Sequence, residues 1–189
     1  MREKIASLIK QISPLDELEA THQQKALDWI ASGADLFRVQ KPDVPSMHLV
    51  SYFAIIDPKS HSILLQHHLL ANLWLPAGGH VEQDEDPAIT VQRECQEELG
   101  IRAEFRGRPL PHFVTVTQTV NDQKSHTDVS LWYTLQSDQK TPLTIEPNKF
   151  AEVKWWKIDD VLRAPIEEFD PQLHRFLKKI QSSVLNDEE

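Results

Sequence analysis

The 189-residue chain is long enough for one domain with a sizeable core, or for a core domain with an added flank, and carries a formal charge of −9. That balance, with no run of five or more basic residues, argues against a protein that grips long nucleic acid through its phosphates, while small phosphorylated metabolites stay compatible. A single cysteine excludes an internal disulfide, and the lack of a long apolar run or signal-peptide pattern predicts a cytoplasmic protein with no membrane partner.

In chain order, the segment up to Gly33 predicts two helices. Ile5, Leu8, Ile9 and Ile12 form the apolar stripe of the first; Leu18, Ala26, Trp29 and Ile30 form that of the second, after a break at Ser13-Pro14. A loop with Pro42 and Pro45 leads to a strand at 48–56, the turn Asp57-Pro58-Lys59-Ser60 and a strand at 63–67, both ahead of the Gly78-Gly79 pair. Asp86 supplies an N-cap carboxylate and Pro87 a preset φ, so a helix begins there, and Gly100 stops it. Residues 113–120 and 128–135 read as an antiparallel pair around Asn121-Asp122-Gln123-Lys124, and 153–158 as a last strand. Asp170-Pro171 opens a C-terminal helix with Leu173, Phe176, Leu177, Ile180 and Val184 as its packing stripe. No repeat or low-complexity tract interrupts the chain.

The helix after Pro87 carries the chemistry. Ala88, Val91, Cys95 and Leu99 recur at three- and four-residue intervals as an apolar stripe, which makes Cys95 a packing residue rather than a nucleophile. Glu94, Glu97 and Glu98 fall at i, i+3 and i+4 on another face. Like charges so placed cost an isolated helix about 0.2–0.5 kcal/mol per pair, so a helix that keeps three together calls for a cation. Hard oxygen ligands suit Mg²⁺, with Mn²⁺ as a substitute. The competing reading is a solvated acidic face with Arg93 as a surface ion-pair partner. Against it stands the spacing: Gly79, five residues, Glu85, seven residues, then Arg93-Glu94-x-x-Glu97-Glu98-x-Gly100.

That order of residues resembles the signature of the Nudix hydrolases at every polar and glycine position. The resemblance covers roughly 49–162 and implies an α/β chain: a Nudix-type α/β/α sandwich with a mixed sheet, plus an N-terminal helical flank. The expected division is a flank at 1–45 and a catalytic domain at 46–189 that includes the C-terminal helix. A packed flank is the default for the early helices; a dimerisation arm or a substrate lid is the alternative, and a homodimer stays open.

For function, the resemblance implies a pyrophosphohydrolase that cleaves a diphosphate bond in a nucleoside diphosphate linked to another moiety, or in a nucleoside triphosphate, with Mg²⁺ and activated water. Carried onto this chain, Glu94, Glu97 and Glu98 become metal ligands, joined by the carbonyl of Gly78. Glu94, Arg93 and Glu98 are the expected catalytic group, with Arg93 orienting carboxylates through its planar fork. Gly79, Glu82, Glu85 and Gly100 are structural or outer-shell positions. Where the family's turn often has glycine before the glutamate, Asp84 stands here, a residue that tolerates left-handed backbone. Families of this type place the general base on the helix, where Glu94 serves, or on a later loop, where Glu152 and Glu146 are the candidates. His80, next to the glycine pair, and His126 are the candidates for substrate contact. Neither proline nor tyrosine, which mark particular substrate groups, stands at 116–117, so the substrate within the family is left unassigned. Trp74, Trp132, Trp155 and Trp156 offer stacking surfaces but read better as core or sheet residues. Two other classes are an isoprenoid-diphosphate isomerase, which has no cysteine outside the motif helix to use, and a nucleotide-sensing module, whose members lose motif glutamates that this chain keeps.

Overall fold

The computed structural model describes residues 1–41, 43–102, 104–119, 126–145 and 149–183. Pro42, Val120, the turn Asn121-Asp122-Gln123-Lys124, Glu146 and Val184 therefore lie outside the described residues.

The two N-terminal helices, α1 (Arg2–Lys10) and α2 (Glu17–Ala31), form where the periodicity places them. Each supplies the other with end caps. Arg2 donates to the carbonyls of Ile30 and Ala34 at the end of α2 (2.7 and 2.6 Å), and Gln23 donates to those of Ile9 and Ile12 at the end of α1 (2.7 Å each). Carbonyls that a helix end leaves without intrahelical partners are satisfied in this way. The stripe of α1 is buried as expected, and that of α2 in part: Ala26 and Ile30 are buried and Trp29 half-buried, but Leu18 is exposed, and Glu19 and His22 face inward beside them. Glu19 takes the inner position because it has backbone donors to satisfy. Its carboxylate accepts from Leu15 N (2.6 Å), closing the turn before the helix, and from Val114 N (3.3 Å), while Asp16 caps Glu19 N (2.8 Å).

The strands are β1 (Met47–Asp57), β2 (Ser62–His68), β3 (Leu73–Leu75), β4 (Ala77–His80), β5 (Phe113–Thr119), β6 (His126–Gln136) and β7 (Phe150–Lys157). They form one mixed sheet in the order β3-β2-β1-β6-β5, with β4 also on β1 and β7 also on β2. The pairs β1/β2, β2/β3, β2/β7 and β5/β6 are antiparallel. β1 and β6 lie inside that order, which is why both are runs of buried residues rather than alternating ones. The helix α3 (Pro87–Leu99) follows β4, and α4 (Ile158–Arg163), a 3₁₀ turn and α5 (Leu173–Ser183) close the chain. Ile158, expected at the end of the last strand, instead starts α4. The short strands β3 and β4 were not expected, since three or four residues carry too little periodicity to be read.

By its contacts the chain divides into two compact units. The first holds both N-terminal helices, the start of β1, the turn between β4 and α3, and the β5/β6 hairpin arms. Its core includes Trp132, which meets Phe113 edge-on (5.9 Å between centroids) and Tyr52 face-on (5.0 Å), and whose Nε1 donates to Thr115 Oγ1. The second holds β2, β3, β7, α4 and α5. There Trp156 packs edge-on against both Trp74 and Phe169, Lys154 lies over Trp74 and Trp156, and Leu173, Phe176, Leu177 and Ile180 are fully buried. The rings of Trp74, Trp132 and Trp156 thus serve packing.

Candidate active site

The loop from β4 into α3 is built around one carboxylate. Glu85 Oε1 and Oε2 accept from Arg93 Nε and one terminal nitrogen, both at 3.1 Å, which is the fork that a guanidinium offers and an ammonium cannot. Glu85 Oε2 also accepts from Thr90 Oγ1 (2.7 Å) and Glu82 N (3.1 Å), and Arg93 donates further to the carbonyl of His80 (3.1 Å). Burial alone would raise the Glu85 pKa, but these donors outweigh it and hold the carboxyl below its usual range. Glu85 N returns a bond to Glu82 O (3.0 Å), and Asp84 in that turn has φ +58°, a left-handed conformation that aspartate accepts where glycine is usual. Glu82 itself contributes backbone and leaves its side chain in solvent.

Behind the loop, Gly78 is required by close approach. A Cβ there would lie 2.5 Å from Ser51 O and 2.9 Å from Tyr52 Cδ1. Gly78→Ala is therefore expected to destabilise the fold by about 2 kcal/mol, as overpacking does, visible as a lowered urea midpoint; an unchanged midpoint would show that β4 shifts freely. Gly79 follows on the same strand, and Gly100, at φ +67°, ends α3 with its α-carbon against Thr144. At the other end of α3, Asp86 Oδ1 accepts from Ala88 N (3.1 Å) and Ser51 Oγ donates to Pro87 O (2.9 Å).

The glutamates of α3 are not a single solvated face. Glu94 and Glu98 are 8% and 2% exposed, and only Glu97 is open to solvent. Glu98 Oε1 accepts from Lys149 Nζ at 2.5 Å and Oε2 from Gln66 Nε2 at 3.2 Å. Burial raises the Glu98 pKa in spite of Lys149, and the neighbouring Glu94 adds to the rise. The cation demanded by the glutamate spacing is thus met in part by a lysine that the motif does not contain. Lys149 stands far from the helix in sequence, beside no recognisable motif, which is why sequence reasoning missed it.

Cys95 is fully buried between these glutamates, and burial first, then the charge of Glu98, pushes its thiol up to about 12. A thiol held that far from ionisation is no nucleophile. Cys95→Val is expected to keep near-normal turnover and stability within about 1 kcal/mol, and the native thiol to react slowly with Ellman's reagent; lost catalysis in a folded variant would contradict this.

The other expected residues separate. Glu152 lies exposed on β7, opposite His67 and 4.0 Å from Lys154 Nζ. His80 and His126 come together, but with a residue not singled out in the sequence: the His48 ring lies 4.7 Å from that of His80 and 5.2 Å from that of His126. His80 is held neutral, its pKa lowered to about 3 by burial and then by Arg38 and its histidine neighbours. No helix among the described residues is long and apolar enough to cross a membrane.

A family model described as the NUDIX domain matches residues 47–178. Comparison with curated proteins finds no match. Among solved structures, the chain is similar to a NUDIX-family hydrolase from Clostridium perfringens, at 23% identity and a TM-score of 0.54 over 75% of this chain and 98% of that one. It is similar also to a MutT NUDIX hydrolase from Burkholderia pseudomallei (22%, 0.53, 71% and 98%) and to a MutT protein from Methanosarcina mazei Go1 (17%, 0.56, 76% and 96%). At these identities the likeness is one of fold.

Proposed function

Since the chain belongs to the Nudix hydrolases, enzymes acting on small nucleoside diphosphate derivatives, we propose that it hydrolyses a diphosphate bond in a nucleoside diphosphate linked to another moiety, or in a nucleoside triphosphate, with Mg²⁺. One observation carries the choice of metal chemistry: two carboxylates one helical turn apart, Glu94 and Glu98, are both buried. Burying two like charges together favours cations beside them, of which Lys149 is one and a bound divalent ion would be another.

The donor set fits a hard divalent ion. Glu94, Glu97 and Glu98 offer carboxylate oxygens alone, and Glu98 keeps free lone pairs after accepting from Lys149 and Gln66. These three would hold Mg²⁺, or Mn²⁺, which supplies charge stabilisation at the phosphoryl oxygens and lowers the pKa of bound water. The protein's own groups do the rest. Glu94 is the proposed general base, taking a proton from the attacking water, because it is buried on the helix while Glu152 lies in solvent. Arg93 positions rather than reacts: its fork on Glu85 and its bond to His80 O fix the turn that enters α3. Lys149, as the counter-charge of Glu98, holds that carboxylate in place. The proposed division keeps 1–45 as a packed flank, in line with the bond from Val114 N to Glu19.

The direct test is phosphate or diphosphate release across a panel of nucleoside triphosphates, nucleotide sugars and dinucleotides, with and without Mg²⁺. Cleavage of at least one member only when Mg²⁺ is present is expected. Binding without turnover across the whole panel would favour the sensing module, and rearrangement of an isoprenoid diphosphate the isomerase.

A further inference from the structure

Away from the glutamates of α3, four side chains converge whose chemistry differs from theirs. Asp43 in the loop before β1, His48 at the start of β1, His80 at the end of β4 and His126 at the start of β6 each offer one ligand atom, and these atoms all lie within 4.8 Å of one another. His48 is fully buried and the His126 side chain is 11% exposed. Several of the polar atoms here have no hydrogen-bond partner: His48 Nε2, His80 Nε2, His126 Nδ1 and Asp128 Oδ1. His80 Nε2 has nothing opposite it among the described residues and the other three meet a carboxylate or imidazole only at 3.2–3.5 Å, out of hydrogen-bond geometry, a cost that packing alone does not explain, since buried polar groups are as a rule satisfied.

The orientation of the rings is that of ligands. His48 Nδ1 lies 2.8 Å from Pro45 O, a bond that requires the proton on Nδ1 and makes Nε2 the ligand atom of the neutral ring. His126 Nε2 lies 3.4 Å from Asp128 Oδ1, leaving Nδ1 toward Asp43 Oδ2 at 3.5 Å. A carbonyl or carboxylate behind the far nitrogen is how proteins fix a metal-binding imidazole. Asp43 Oδ1 is 3.8 Å from Arg38, so its other oxygen is the one left for the cluster. A plain His48–Asp128 ion pair at 3.2 Å explains less, since it leaves His80 without a role.

We propose that Asp43, His48, His80 and His126 form a second metal site, selective for a borderline ion such as Zn²⁺ rather than Mg²⁺, with Asp128 positioning His126. Three imidazoles and a carboxylate suit Zn²⁺ in tetrahedral geometry, whereas Mg²⁺ demands oxygen. With Zn–N bonds of about 2.0–2.1 Å the ligand atoms would stand roughly 3.4 Å apart, so closure needs side-chain movements on the order of 1 Å. The two carboxylates would balance the charge of the ion. Four protein ligands fill the tetrahedron, which makes the site structural: it ties the loop at Asp43 to β1, β4 and β6. This role replaces substrate contact for His80 and His126.

The test uses the full-length protein with Zn²⁺ or Co²⁺ alone, so its readout does not depend on hydrolysis. One Zn²⁺ per chain is expected, with the visible absorption of tetrahedral Co²⁺ on substitution. Asp128→Asn should weaken binding about 10–100-fold, the usual loss for an outer-shell partner, and Asp43→Asn and His126→Gln by more. Glu97→Gln, on the helix, should leave Zn²⁺ affinity unchanged. X-ray absorption of the wild-type zinc form should show a nitrogen-rich shell of imidazoles, which decides the matter even where a variant fails to fold. No Zn²⁺ binding at micromolar concentration, an all-oxygen shell, or binding lost in Glu97→Gln but kept in Asp43→Asn would overturn the proposal.

Discussion

Glu94→Gln is expected to lower kcat by about 10²–10⁴-fold, the range by which a positioned general base accelerates proton transfer. The substitution keeps the volume and the hydrogen-bonding shape and removes the charge from a side chain only 8% exposed, so the fold should be retained. Relief of the repulsion between Glu94 and Glu98 works in the same direction, since Glu94 contributes to the raised pKa of Glu98. A loss of activity with stability retained is therefore the signature to look for, by steady-state kinetics beside a urea titration. Turnover within about tenfold of the parent would move the base elsewhere, with Glu152 next in line for substitution.

Arg93→Lys is the second large effect, and it acts on stability. Lysine keeps the charge but cannot reproduce the two parallel bonds to Glu85 or the third to His80 O. Hydrogen bonds to charged groups contribute about 1.5–3 kcal/mol, so a loss on the order of 2 kcal/mol at neutral pH is expected. The pH dependence has a definite sign. The folded pKa of Glu85 is lowered, so its contribution is present above the ordinary glutamate pKa and is lost as pH falls through the lower, folded value. The gap between Arg93→Lys and the parent should therefore be full at neutral pH and close in acid. A gap that stays constant as pH is lowered would show that the guanidinium acts through packing and not through Glu85.

Much of this architecture is legible in the sequence because local chemistry and tertiary context agree. Asp86, Pro87 and Gly100 bound α3 by capping and backbone preference alone, and of the apolar stripe Ala88, Val91, Cys95 and Leu99 the last three are buried as their spacing requires, with Ala88 half-buried in the first turn. Asp84 in left-handed backbone could likewise be read from the residue's tolerance of positive φ. Where reading failed, a distant partner decided. Glu19 displaces Leu18 from the inner face of α2 because the amide of Val114, 95 residues away, needs an acceptor. Lys149 neutralises Glu98 across 51 residues with no motif to announce it. The histidine cluster joins positions 43, 48, 80 and 126, of which only 80 and 126 could be suspected, the one beside the glycine pair and the other on a strand. Periodicity reports which face is buried; it cannot report which buried polar group meets which.

The central claim is that water attacks phosphorus at a site organised by the glutamates of α3. Hydrolysis of a cleaved diphosphate substrate in ¹⁸O-labelled water, with mass spectrometry of both products, tests it most directly. The charge stabilisation proposed here acts on phosphoryl oxygens, so one labelled oxygen is expected in a phosphate-bearing product, with the label marking which phosphorus was attacked. Label confined to a product that carries no phosphate, or no Mg²⁺-dependent cleavage of any diphosphate, would contradict the account.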